Sequence, residues 1–407
     1  MFQRILTRRW GVIIVGLILC GLLFGLTPAA SAAPAHSPGV FPDGCLVDTL
    51  PSHDPEYPTD QIIAVCMPPQ PIPWNGTLVV YAHGYRPPQL PLALPVDEIN
   101  QFPTMVPGLL GQGFAFATTS YHKNGYALEA AGEDLKDVVH HFNSLAPTPA
   151  QRVLLVGASE GGIITTLLVE RHPADADGGL FHGGLALCAP VGGMPYQAQF
   201  IGDFRVVFDV FFPDVFPFGA ADIPPDAYLS WQSTYVPAIS AAMAANPSGV
   251  AQLFAVTGAN YDPANPATAV VTATTLLFYN IWGTNDLIAL SGGNPYGNEN
   301  TIYTGSFNDT LLNASVERVA ADQKAVGYVK RFYDTTGKLR VPLVTLHNQY
   351  DPAVPYQHEA IYANKVAQRG RSQYLTSFTV PTFGHCAFDS TTVLNAFGLL
   401  VSQTQAP

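Results

Sequence analysis

Charge is scarce in this sequence. Only 12% of its 407 residues are Asp, Glu, Lys or Arg, against roughly 25% in an ordinary globular protein. The charge present is lopsided, with 18 basic against 30 acidic side chains and a net charge of −12. A chain so poor in positive charge has no electrostatic footprint for nucleic acid or for an anionic membrane surface. It is not a disordered polymer either, because 48% of its residues are hydrophobic, enough for a large core. Phosphate-binding and dinucleotide-binding glycine fingerprints are missing. His122, the pair His140-His141 and His358-Glu359 have no partners at metal-ligand spacing. They are expected to be structural or solvated, and neither a metal nor a cofactor is expected.

Cysteine is also sparse, at five residues, one of which lies in the first segment of the chain. That segment carries Arg4, Arg8 and Arg9, then the apolar run Gly11 to Leu26, then small residues up to Ala32. The pattern is that of a secretory signal over residues 1–32, cut after Ala32. An apolar run of 16 residues is short for a retained span. Removing residues 1–32 takes away three Arg and no acid, leaving 15 basic against 30 acidic side chains. The four remaining cysteines, Cys45, Cys66, Cys188 and Cys386, are then an even set in an exported chain, where disulfides form and three pairings are possible.

Residues 33–60, rich in Pro, Asp and Ser, read as an irregular arm. Short apolar β-type runs follow at Gln61 to Val65, Gly76 to Ala82 and Gly113 to Thr119, with a helix-like stretch near Pro103 to Leu110. Helical spacing runs from Tyr126 to Leu145 and again from Gly161 to Arg171, separated by the strand pattern Val153 to Val156. Another strand pattern runs from Gly184 to Cys188. Strands without polar alternation, interleaved with amphipathic helices, predict a covered, mostly parallel sheet. The rhythm stops over residues 190–338, which are dense in aromatics and proline, and resumes from Val341 to Val401. The sequence thus predicts one α/β domain, residues 61–189 and 339–407, with a mostly helical cap inserted at 190–338. The cap should include a long helix near Val316 to Phe332.

The chemistry centres on Gly157-Ala158-Ser159-Glu160-Gly161-Gly162. Alone, this describes a turn serine as well as a nucleophile. Its setting between a buried strand and a helix is what a nucleophile needs, because a sharp strand-to-helix turn lifts the hydroxyl out of the sheet and tolerates only small neighbours. A serine hydroxyl is a weak nucleophile and requires a base, itself oriented by an acid. Asp351, in Asp351-Pro352-Ala353-Val354-Pro355, and His385, in Gly384-His385-Cys386, follow in that order. Each comes just after a strand pattern, where sites in open α/β sheets form. A tetrahedral oxyanion needs two preset donors. The backbone N–H of Glu160 is one, and that of Tyr85, in His83-Gly84-Tyr85, is the other.

Through these motifs the chain, from about Gln61 to Val401, resembles the α/β-hydrolase fold family. The resemblance implies a Ser159, His385, Asp351 triad on a mostly parallel sheet flanked by helices, the cap preceding the strand that carries the acid. Secreted esterases and lipases with a helical cap are the most similar, implying a carboxylic ester hydrolase acting on small or polymeric esters. The double glycine after Ser159-Glu160 is also similar to prolyl-oligopeptidase-like and aminopeptidase-like enzymes, which keeps a serine peptidase as the alternative. Cys188 and Cys386 should both lie at the carboxyl edge of the sheet. A Cys188–Cys386 disulfide would therefore pin the histidine loop, with Cys45–Cys66 tying the arm to the first strand; free buried thiols are the other possibility. The cap aromatics are individually core, and together they predict an apolar acyl or aryl pocket. Glu160 carries a carboxylate with no partner visible in the sequence.

Overall fold

The computed structural model describes residue 41 and residues 44–405. The expected signal segment lies outside the described residues. Along the chain come β1 (Leu46–Leu50), β2 (Gln61–Cys66), β3 (Thr77–Ala82), α1 (Val96–Ile99), α2 (Met105–Gly111), β4 (Ala115–Thr119) and α3 (Leu128–Leu145). Then follow β5 (Arg152–Ala158), α4 (Glu160–Arg171) and β6 (Gly183–Leu187). The region before the next strand holds α5 (Met194–Phe211), α6 (Val236–Ala245), α7 (Pro247–Thr257), α8 (Thr268–Ser291), α9 (Asp309–Ser315) and α10 (Gln323–Phe332). The chain closes with β7 (Leu343–Tyr350), α11 (Gln357–Gln368), β8 (Leu375–Phe383) and α12 (Ser390–Gln403).

The eight strands form one sheet in the order β1-β2-β4-β3-β5-β6-β7-β8. From β4 through to β8 every pairing is parallel, and β2 runs against both its neighbours. The crossing of β3 and β4, the helix-covered parallel run and the sharp β5–α4 turn together make this the α/β-hydrolase fold. Strands β3, β4 and β6 are buried at every position, which is why they read as unbroken apolar runs. One core layer packs α3 and α4 on the sheet through Leu135, Val138, Ile163 and Leu167. The opposite layer is closed by α2 and α12 through Leu109, Leu110, Phe397 and Leu400. Among the described residues, no single helix is long and apolar enough to cross a membrane.

Helices α5 to α9 enclose an aromatic core of their own, built on Phe204, Phe208, Trp231, Phe254 and Leu277. At its centre Arg205 is fully buried. Its Nε donates to the Asp209 carboxylate at 2.9 Å, and its guanidinium nitrogens donate to Asn280 Oδ1 at 2.7 Å and to the Phe218 carbonyl at 2.6 Å. The Phe216 ring lies 4.2 Å below the guanidinium. An uncompensated charge could not sit in such a core, and here each of the three nitrogens has an acceptor and the charge has a carboxylate partner.

Two expectations need correction. Regular structure begins inside the segment read as an irregular arm: β1 pairs with β2 over Leu46 to Leu50. Four of its five residues are exposed, so no burial pattern marked it; the strand exists because β2 offers an open edge. The long helix expected near Val316 to Phe332 is only α10. Asp322 caps that helix by accepting the amides of Lys324 and Ala325. Before it, the chain is drawn aside: Val319 N–H donates to Asn298 Oδ1 and Arg318 donates to the carbonyls of Asn298, Thr301 and Asn313.

Candidate active site

The turn between β5 and α4 is built by steric exclusion. Ser159 holds φ 55° and ψ −121°, a conformation rare for a side-chain-bearing residue, fixed in part by its N–H donating to the Leu187 carbonyl at 2.8 Å. A Cβ on Gly161 would fall 1.9 Å from the Ala82 carbonyl oxygen, and one on Gly157 would fall 2.1 Å from the Gly161 oxygen. The glycines around Ser159 are therefore required by backbone contact, and they present its hydroxyl at the carboxyl edge of the sheet.

Asp351 lies just beyond β7 and is 2% exposed. Its Oδ1 accepts the amides of Ala353 at 2.8 Å and Val354 at 2.9 Å. Its Oδ2 lies 2.8 Å from His385 Nδ1. A carboxylate held this way offers only lone pairs to the imidazole, so the ring proton sits on Nδ1. Nε2 then turns its lone pair to the Ser159 hydroxyl, which is 2.8 Å away. Residues 226 apart in sequence thus meet within one hydrogen-bonded chain.

The loop that carries His385 is held from three sides. Gly384 at φ 128° and Cys386 at φ 55° give it a turn that ordinary residues resist. A Cys188–Cys386 disulfide, with Cα atoms 5.2 Å apart, joins it to the end of β6. Asn348 in β7 donates to Thr382 Oγ1 at 2.7 Å and to the Ala387 carbonyl at 3.0 Å, and accepts the Ala387 amide at 3.1 Å. Nothing local in the sequence marks Asn348, since an Asn in a strand pattern reads only as a poor strand former. The second disulfide, Cys45–Cys66, ties β1 to β2. Cys188, His385 and Cys386 place potential ligand atoms close together, but the two sulfurs are bonded to each other and are not thiolate donors.

The loop after β3 lies against Ser159, since a Cβ on Gly84 would sit 3.4 Å from Ser159 Cβ. The Gly84 amide is occupied: it donates to both Glu98 carboxylate oxygens at 3.1 Å. Glu98 in turn accepts the Tyr81 hydroxyl at 2.7 Å, and burial pushes its carboxyl up. His83 Nδ1 donates to the Gly84 carbonyl at 2.7 Å, its ring stacked on Tyr121 and held down to about 4 by burial. The amides of Tyr85 and Glu160, the two expected oxyanion donors, are engaged by no acceptor among the described residues.

Glu160 does have a partner. Its buried carboxylate accepts the Ala127 amide at 2.8 Å, at the start of α3. Burial first, and then the charges of Asp286 and Glu98, hold its carboxyl well above the usual range. Asp286, from helix α8, accepts the neighbouring amide of Tyr126 and is pushed up to about 6 by burial. The Tyr85 ring packs beside Tyr126 and Tyr279, with centroids 4.9 and 6.0 Å away. A small cavity lies against these two tyrosines, lined by Tyr126, Tyr279, Leu287 and Tyr296 together with the polar Asn280 and Asn294. The histidines that lacked metal partners are structural where buried: His122 donates to Asp134, and His358 accepts the Gly192 amide at 3.1 Å.

No protein-family model matches this sequence, and no curated protein sequence matches it. Solved structures that it resembles include Candida antarctica lipase A in its closed state, at 14% identity and a TM-score of 0.48 over 89% of this chain and 78% of that one. An esterase from Aspergillus oryzae is similar at 12% identity and a TM-score of 0.48, over 84% of this chain and 73% of that one. The acylaminoacyl peptidase of Pyrococcus horikoshii is similar at 9% identity and a TM-score of 0.41, over 89% of this chain and 41% of that one.

Proposed function

We propose that this protein is an exported serine hydrolase that cleaves carboxylic esters bearing an apolar acyl or aryl group, through an acyl-enzyme. The observation that carries the reading is the hydrogen-bonded chain from Asp351 through His385 to Ser159, 2.8 Å at each step, ending on a serine held at positive φ. In the first half-reaction His385 Nε2 takes the Ser159 proton as Oγ attacks the ester carbonyl, and Asp351 stabilises the imidazolium that forms. The Tyr85 and Glu160 amides receive the oxyanion, and the imidazolium returns its proton to the leaving alcohol. In the second, His385 activates water against the acyl group, and Ser159 is released.

The ester reading is supported by the small cavity walled in part by Tyr126 and Tyr279, the two rings packed beside Tyr85, with Ile201, Leu287 and Tyr296 giving it a mainly apolar lining interrupted by Asn280, Thr284 and Asn294. Export is supported by two disulfides in a chain whose first 32 residues read as a secretory signal.

The test is two-part. A fluorophosphonate probe should label native protein at Ser159 and leave Ser159→Ala unlabelled. A panel of nitrophenyl acyl esters beside aminoacyl and prolyl anilides should show turnover of the esters. Preference for the anilides would replace the ester assignment with a peptidase, and absence of labelling would remove the hydrolase reading altogether.

A further inference from the structure

Behind the acid of the chain lies a second buried histidine that the mechanism above does not use. His347, in β7, is fully buried. Its Nε2 lies 3.0 Å from the Val354 carbonyl and 3.6 Å from Asp351 Oδ2, the same oxygen that holds His385. Its Nδ1 lies 3.2 Å from Glu359 Oε1, on α11. The other Glu359 oxygen is 2.6 Å from Thr345 Oγ1, which is itself 2.8 Å from Ser377 Oγ on β8.

The donors can be counted. A backbone carbonyl only accepts, so Nε2 must carry a hydrogen. Nδ1 faces a carboxylate oxygen, and two bare lone pairs would repel at that distance, so a second hydrogen stands between Nδ1 and Glu359. We propose that His347 is an imidazolium paired with Glu359, and that it acts as a positioning residue for the Ser159 reaction by fixing Asp351 between two histidines and balancing its charge. This rests on the hydrolase reading above.

The groups that face His347 agree with this assignment. Burial opposes its charge, but the hydrogen bond to Glu359 and the charges of Asp351 and Glu359 outweigh it, and the imidazole is pushed up. The neighbouring His358 on α11 is neutral. Its Nδ1 accepts from Gly192, its Nε2 donates to Gln197 Oε1 at 2.8 Å, and burial together with the His347 and Lys365 charges holds it far down. The Tyr356 ring meets His347 edge-on, 5.8 Å between centroids, and brings no charge of its own. The Asp351 carboxylate thus has Oδ1 fixed by two amides and Oδ2 by His385 on one side, with His347 on the other. No rotation of the carboxyl group keeps all four contacts.

A positive charge beside Asp351 reduces the pull of that carboxylate on a proton bound to His385. With His347 in place, the unprotonated base is therefore available at lower pH. In His347→Gln the positive charge is lost. In Glu359→Gln the imidazole loses its counter-ion, and burial drives it neutral, with Nε2–H still donating to Val354. Both variants should move the acid limb of the kcat/KM profile to higher pH, by about half a unit to one unit. In both, kcat should fall on the order of tenfold as Asp351 loses its second restraint, with KM little changed.

Nitrogen-15 histidine NMR of the unsubstituted protein provides a readout independent of the variants' folding. It should show one imidazolium whose two nitrogens stay protonated across the pH range of activity and whose signal disappears in His347→Gln. A His347 with bare Nδ1, or an acid limb unmoved in Glu359→Gln, overturns the proposal. Fluorophosphonate labelling separates the two readings. If the native protein fails to label at Ser159, the hydrolase assignment falls; if it labels but the acid limb does not move, only the role of His347 falls.

Discussion

Asp286 of helix α8 accepts the amide of Tyr126, 160 residues earlier in the chain, at the N-terminal end of α3. The very next amide, that of Ala127, goes to Glu160, the residue that follows Ser159. One helix end thus ties α8 and the Ser159 turn together through two carboxylates, where the helix presents free N–H groups and the positive end of its dipole.

Asp286 should make the protein less stable as pH rises through its titration. Its carboxyl is pushed up to about 6 in the folded protein against 3.8 when unfolded, so the folded state keeps the proton longer. Between about pH 4 and pH 6 the unfolded state binds fewer protons, and stability falls by an amount on the order of 1–3 kcal/mol. Asp286→Asn retains an acceptor for the Tyr126 amide and removes the titration. Its melting temperature relative to the unsubstituted protein should therefore rise from pH 4 to pH 7; a constant difference would contradict the shifted carboxyl.

Asp351→Asn should keep the fold and lose about 10⁴-fold in kcat, because an amide donating to His385 reverses the ring tautomer and leaves Nε2 protonated against Ser159. Ester turnover and circular dichroism on the same preparation check this. A variant with near-normal kcat would remove Asp351 from the proposed mechanism.

The Cys188–Cys386 disulfide closes a loop of 198 residues that includes helices α5 to α10. Replacing both cysteines with serine should destabilise the protein by about 2–4 kcal/mol. It should also lower kcat more than it raises KM, since His385 is the neighbour of Cys386. Thermal melts and kinetics with and without reductant measure both effects, and reductant should leave the variant's His385-dependent activity unchanged.

Two glycines separate required from incidental smallness. Gly161→Ala would place a methyl 1.9 Å from the Ala82 oxygen, in backbone that cannot retreat. It should cost more than about 4 kcal/mol or abolish soluble expression. Gly327→Ala, in α10 with nothing within 4 Å of the added methyl, should stabilise the protein by about 0.5–1 kcal/mol. Chemical denaturation curves of the pair decide the comparison.

Much of the site was legible because its parts are local. The Ser159 turn is announced by glycines within three residues of it, and Asp351 and His385 stand just past apolar strand runs. What was not legible depended on neighbours distant in sequence. β1 is exposed and paired only because β2 has an open edge. Residues 316–322 are pulled out of helix by side chains around Asn298. Asn348, Glu98 and Glu359 look like ordinary polar residues until the carbonyls, amides and imidazole they serve are brought beside them.

The sequence by itself determined most of the alternation of strands and helices around the sheet, the strand-to-helix turn at Ser159 and the placing of Asp351 and His385 at strand ends, because apolar periodicity and glycine sterics act over a few residues. Only the tertiary structure decided how charge is arranged around them. Glu160 finds its acceptor role 33 residues away at Ala127, and His347 gains a second buried proton because β7, α11 and the Asp351 loop converge on it. Electrostatics in a desolvated interior depends on distance in space, which the chain supplies only once folded.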